Sequence, residues 1–128
     1  MNEKNTKYLL DNFPNLYKNY GGDPRYTCMA WGFSCGDGWF NILKELSEKL
    51  EPLGVVAEQV KEKFGGLRFY VGAVNKDVWD EVANYIREAE ARSVETCERC
   101  GESGENRGGL YGWITTLCEK CDEERSTI

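Results

Sequence analysis

The chain contains no histidine. That absence removes Ser-His-Asp and Cys-His catalysis, histidine-ligated catalytic metals and the usual proton shuttle near neutral pH. Carboxylate-only or tyrosine-assisted chemistry remains open. No apolar run approaches the roughly 20 residues of a membrane-spanning helix, and no charged-then-apolar leader opens the sequence. Basic residues are in deficit, with 16 Lys and Arg against 22 Asp and Glu, a net charge of −6. Binding nucleic acid of any sequence wants a basic footprint, so the charge argues against it while leaving room for a small local basic patch. The 128 residues suit one main core with a smaller appendage, and the 16 aromatics can furnish that core.

Six cysteines are present, four of them in two pairs near the C-terminus. Cys97-Glu98-Arg99-Cys100 and Cys118-Glu119-Lys120-Cys121 each have knuckle spacing, and the 17 residues from Gly101 to Leu117 separate them. Two residues between paired thiols let both sulfurs turn toward one ion, and a second pair completes a tetrahedron. The expectation is a structural zinc on Cys97, Cys100, Cys118 and Cys121, closed by four thiolates and so unable to activate water. Such a site would make the net charge about two units more negative. Cys28 and Cys35 lack knuckle spacing and read as free thiols. CxxC pairs without a leader point to a reducing cytoplasm.

The periodicities predict an α+β fold: helices packed on a two-stranded antiparallel hairpin, followed by a C-terminal four-cysteine zinc ribbon. The expected division is a core over 1–95, the ribbon over 96–125 and a tail over 126–128. An amphipathic helix is expected from about Asn5 to Tyr17, broken or restarted at Pro14, with Tyr8, Leu9, Phe13, Leu16 and Tyr17 as its apolar set. Gly21–Gly38 reads as a loop. Asp37 then looks like the N-cap of a helix from Trp39 to about Leu50, with Phe40, Leu43, Leu46 and Leu50 on one stripe. Pro52 and Gly54 end it. Val55–Phe64 and Leu67–Val74 read as strands joined by a Gly65-Gly66 turn, and a second long helix should span about Asp77 to Arg92, burying Val78, Val82, Ile86 and Ala89. Gly112–Leu117 should be the strand entering the second knuckle.

The hairpin carries the functional argument. With Gly65-Gly66 as its turn, Lys63 would face Arg68 and Lys61 would face Tyr70, and side chains alternate between faces. Val60, Phe64, Leu67, Phe69 and Val71 then share the core face, with Glu62 falling awkwardly among them. Lys61, Lys63, Arg68 and Tyr70 share the other. Like charges across a ladder are unfavourable. Two readings stand: a solvated face neutralised by neighbouring glutamates, or an anion platform with Arg68 as a fork, Lys61 and Lys63 as point charges and Tyr70 for stacking. A second candidate is the Cys28–Trp39 stretch. Asp37 and a helix N-terminus could bind a ligand there while Trp31 or Trp39 stacks on it; alternatively Asp37 only caps and both tryptophans are core.

At these residues the chain resembles a family of small bacterial and phage zinc-ribbon proteins of unassigned function. The resemblance rests on Gly36-Asp37-Gly38-Trp39, the stretch QVKEKFGGLRFY from Gln59 to Tyr70, Glu88-Ala89-Glu90, and Thr96-Cys97-Glu98-Arg99-Cys100-Gly101. It covers roughly residues 36 to 121 and leaves the N-terminal third outside. It implies a setting of phage defence or counter-defence and transfers no catalytic residue. The expected function is therefore a non-enzymatic binder that sequesters an anionic, nucleotide-like small molecule, an immune-signal sponge. The alternatives are a regulator or inhibitor whose zinc ribbon contacts a protein or nucleic acid, and, third, a phosphate-cleaving enzyme. Homo-oligomers are compatible with any of these.

Overall fold

A computed structural model describes residues 1–108 and 114–126. The architecture is α+β; the described residues form four α-helices, a three-stranded sheet and a separate two-stranded sheet. The first helix, α1 (Glu3–Asn12), is capped by the Asn2 side chain, which accepts the Asn5 N–H at 2.7 Å. It stops five residues before the expected Tyr17. Proline disfavours helical backbone in the residue before it, and Phe13 accordingly leaves the helix ahead of Pro14. Leu16 and Tyr17 still reach the core, from a turn whose free Asn15 and Leu16 N–H groups donate to the Glu51 carboxylate at 3.1 and 2.9 Å.

Helix α2 (Phe40–Leu50) buries Ile42, Leu43, Leu46, Ser47 and Leu50, a stripe of helical period. Phe40 lies only partly buried, edge-on to Tyr8. A short 3-10 turn over Asp37–Trp39 precedes α2, and no side chain caps the helix. Asp37 caps the other end of the molecule's opening: its Oδ1 accepts the Asn2 backbone N–H at 2.7 Å and the Asn5 side-chain amide at 3.2 Å. The expected N-cap of α2 is thus a clasp on α1.

The main sheet has the order β1-β2-β3, formed by β1 (Phe33–Ser34), β2 (Ala57–Lys63) and β3 (Gly66–Val71). β2 and β3 are antiparallel, and β1 adds a parallel third strand with Ser34 beside Lys61. The expected hairpin therefore gains a strand. Its turn also moves back by one residue, to Phe64-Gly65, both with positive φ (53° and 85°), as a two-residue hairpin of this type requires. The tip is gripped there: Glu62 Oε2 accepts the Gly65 N–H at 2.8 Å, Thr116 Oγ1 donates to the Gly65 carbonyl at 2.6 Å, and the Asn106 amide donates to the Phe64 carbonyl at 3.2 Å. Phe64 is 67% exposed and not part of the core. Lys61 now faces Arg68, and Gln59 faces Tyr70. Moving the turn by one residue shifts partners by two, so every strand side chain stays on its expected face. Glu62 is no longer awkward, because its carboxylate serves the turn.

Helix α3 (Trp79–Ser93) starts two residues after the expected Asp77, following an Asn75 turn whose side chain accepts the Asp77 N–H at 2.9 Å. It buries Val82 and Ala89 fully, Val78 and Ile86 partly. It also closes the β3 edge: Ser93 Oγ and Glu90 Oε2 accept the Leu67 and Phe69 N–H groups at 2.9 and 3.0 Å. The second sheet pairs β4 (Glu105–Gly108) with β5 (Ile114–Leu117), and helix α4 (Glu119–Ser126) follows. Gly112 and Trp113, the expected start of β5, and residues 127–128 of the expected tail lie outside the described residues. Among the described residues no helix is long and apolar enough to cross a membrane.

Candidate functional site

Folding brings the four knuckle cysteines together. The Sγ atoms of Cys97, Cys100, Cys118 and Cys121 all lie within 4.8 Å of one another, and Cys100 and Cys118 are 3.7 Å apart. A tetrahedron with metal–sulfur bonds of about 2.3 Å has edges of about 3.8 Å, so the thiols are arranged for one ion. The backbone supports them. The Cys121 N–H points at Cys118 Sγ at 3.5 Å. Burial pushes the Cys97 thiol up, but N–H groups of Cys118, Cys100 and Arg99 outweigh it and bring it down to about 6. Burial, then the neighbouring sulfurs, raise Cys121, which is the repulsion a cation among them relieves. Cys97 and Cys121 are buried with Leu117 in a second small core, and Cys100 is exposed.

This module is locked onto the main core at the Gly36–Trp39 segment. The Gly38 N–H donates to the Glu98 carbonyl at 2.7 Å and the Gly36 N–H to Glu98 Oε2 at 2.9 Å. A Cβ on Gly38 would fall 2.1 Å from the Cys97 carbonyl oxygen, so only glycine permits this approach. Trp39, expected as a stacking surface, is fully buried, and its indole N–H donates to the Thr96 carbonyl at 2.9 Å. The segment's glycines and tryptophan are thus engaged in joining the two cores, and its carboxylate in holding α1. Trp31 is 71% exposed on a 3-10 turn, Cys28–Trp31, that packs beside β2. It is available to a ligand; Trp39 is not.

The outer face of the main sheet gathers Lys61, Lys63, Arg68 and Tyr70, as expected. Lys61 and Arg68 are half-buried and sit directly opposite each other. Neither they nor Lys63 ion-pairs with a carboxylate among the described residues. Lys63 lies over the Phe64 ring at 5.6 Å. The glutamates that would neutralise the face are engaged elsewhere: Glu58 accepts from Asn19, Glu62 from Gly65 and Glu90 from Phe69. Beside Tyr70 an open groove of about 310 Å³ is lined by Tyr26, Cys28, Glu58 and Gln59. Cys28 opens the second candidate stretch; alternation alone places Gln59 on this face, and nothing local marks Tyr26 or Glu58 as lining it. Larger grooves, of about 410, 420 and 360 Å³, lie along α1, between Val71 and Trp79, and between α2 and α3. The first holds Lys7, paired to Asp11, and Lys4; the second has an apolar lining, and the third pairs Arg92 with Glu45, so none of them holds the facing Lys61 and Arg68.

Comparison with protein-family models, curated proteins and solved structures finds no match.

The thiols outside the four-sulfur centre differ in a measurable way. Cys28 is exposed, whereas Cys35 is buried and its pKa is pushed up to about 12, first by burial and then by the Glu98 carboxylate. With metal in the centre, alkylation at about pH 8 is expected to modify Cys28 alone, because the thiolate is the nucleophile. Peptide mapping that finds Cys35 labelled as fast would contradict the burial described here.

Proposed function

We propose that this chain is a non-enzymatic binding protein that captures an anionic, nucleotide-like small molecule on the outer face of its main sheet. The observation that carries the reading is the Lys61–Arg68 pair, two unneutralised cations placed directly across a ladder in an acidic protein. Like charges so placed cost stability, and an anion between them reverses the sign. Sequestration without turnover is supported by the lack of histidine and by a metal centre whose four sulfurs leave no position for a reactive water. The resemblance to small phage and bacterial proteins adds a biological setting, that of a counter-defence sponge in a cell's cytoplasm. In the same reading the metal is zinc, one per chain, held by Cys97, Cys100, Cys118 and Cys121. Its role is to fix the ribbon, which in turn grips the hairpin tip.

The test is a calorimetric titration of the zinc-loaded protein with a nucleotide panel. Arg68→Ala is expected to weaken binding by about 1.5–3 kcal/mol, the range for a charged hydrogen bond, and to leave the melting temperature nearly unchanged. Phe69→Ala, on the buried face, serves as the contrast: it should destabilise the fold by about 3–5 kcal/mol. Added salt should weaken binding. Full affinity in Arg68→Ala would remove the outer face as the site.

A further inference from the structure

The outer face is polar along its length, and that polarity assigns an orientation to its ligand. At one end stand Lys61, Lys63 and Arg68; at the other, in the groove beside Tyr70, stands the Glu58 carboxylate. A phosphate is attracted to the first end and repelled from the second. The groove offers what a nucleobase needs. Tyr26 is 80% exposed, far more than a core aromatic, and Tyr70 is 47% exposed on the strand. The Tyr26 ring is braced on one side by the Arg25 guanidinium, 5.6 Å from its centroid. Arg25 is itself forked onto both oxygens of Asp23 at 2.7–3.2 Å, which leaves it neutralised and held. The lining adds two groups suited to base edges: the Gln59 amide, donor and acceptor at once, and the Glu58 carboxylate, whose Oε1 accepts from Asn19 while Oε2 is an acceptor for an exocyclic amine. The volume, about 310 Å³, is at the small end of ligand pockets, room for one nucleoside.

We propose that the groove formed by Tyr26, Tyr70, Gln59 and Glu58 is a base-recognition subsite, and that the ligand is a single nucleotide with an amino-bearing base whose phosphate lies on Lys61 and Arg68. This rests on the outer-face reading of the preceding subsection and adds which ligand class that face takes.

The experiment uses the full, zinc-loaded chain and five probe types: inorganic phosphate, ribose 5-phosphate, CMP, UMP and a single-stranded oligonucleotide. CMP is expected to bind at least about tenfold more tightly than ribose 5-phosphate, in line with base stacking on aromatics. Tyr26→Ala and Tyr70→Ala should abolish that advantage and leave the ribose 5-phosphate affinity intact, whereas Arg68→Ala weakens every phosphate probe alike. CMP should exceed UMP several-fold, a preference that Glu58→Gln removes. Bound CMP should also slow alkylation of Cys28, which lines the same groove. Equal affinity for CMP and ribose 5-phosphate overturns the base subsite while leaving the anion face standing. No affinity for any of the phosphates overturns both. An oligonucleotide that binds more tightly than CMP overturns the assignment to a single nucleotide.

Discussion

Replacing Cys97 with Ser is expected to release the metal and to loosen far more of the chain than the ribbon itself. Cys97 is buried and supplies both a sulfur and a backbone hinge: its N–H donates to the Glu102 carbonyl at 2.7 Å and its carbonyl accepts the Gly101 N–H at 2.9 Å. The next residue, Glu98, holds Gly36 and Gly38, and between those glycines Asp37 clasps the start of α1. In the other direction Thr116 and Asn106 hold the hairpin tip. Metal binding energy in such sites is folding energy, so its loss propagates along these bonds. A stability loss of more than about 4 kcal/mol is expected, the range reached when a structural metal is removed. Native mass spectrometry should register one zinc per chain in the parent and none in Cys97→Ser, with a matching fall in the denaturation midpoint. Cys28→Ser, whose sulfur lies outside the cluster, should change neither. Reduced parent protein that carries no metal yet melts at the same temperature as a zinc-loaded sample would end the structural-metal account.

The same bonds explain which parts of the molecule could be read from the sequence. Cysteine spacing is a short-range constraint, and it placed four sulfurs in one cluster without further help. Strand alternation is equally local, and it put Lys61, Lys63, Arg68 and Tyr70 on one face even though the turn was assigned one residue too late. The turn itself was not local. Asn106 and Thr116, 42 and 51 residues away from their hairpin partners, hold it at Phe64-Gly65, against the ordinary reluctance of Phe to adopt positive φ. Asp37 has every feature of a helix cap, but its partners are Asn2 and Asn5, on the preceding helix. β1 is two residues long, too short for any period, and exists because Phe33 and Ser34 lie against β2. Helix α4 has almost no amphipathic pattern, and its start follows from Cys118, whose carbonyl accepts the Asp122 N–H at 3.0 Å. The groove beside Tyr70 combines a loop over 24–28 with Glu58 and Gln59 of β2 and Tyr70 of β3, at least 30 residues on, which no local window spans.

Trp39→Ala should be among the most destabilising single changes in the main core, because this side chain is where the two cores meet. It is fully buried, it precedes α2 directly, and its indole N–H reaches the Thr96 carbonyl between the end of α3 and the first knuckle. Truncation removes the largest fully buried side chain among the described residues and leaves a cavity, at a cost of about 3–5 kcal/mol. Against a total stability of about 5–15 kcal/mol, that is a large fraction. Trp39→Phe separates packing from polarity: most of the ring volume stays, the hydrogen bond goes, and about 1 kcal/mol should be lost. Both variants should still bind one zinc, since no cysteine is touched, and this distinguishes them from Cys97→Ser. Denaturant titration of the three proteins, zinc-loaded and side by side, measures the difference. If Trp39→Ala lost less than Trp39→Phe, the buried ring would not be what couples the ribbon to the core, and the Glu98–Gly38 contact would have to carry that role alone.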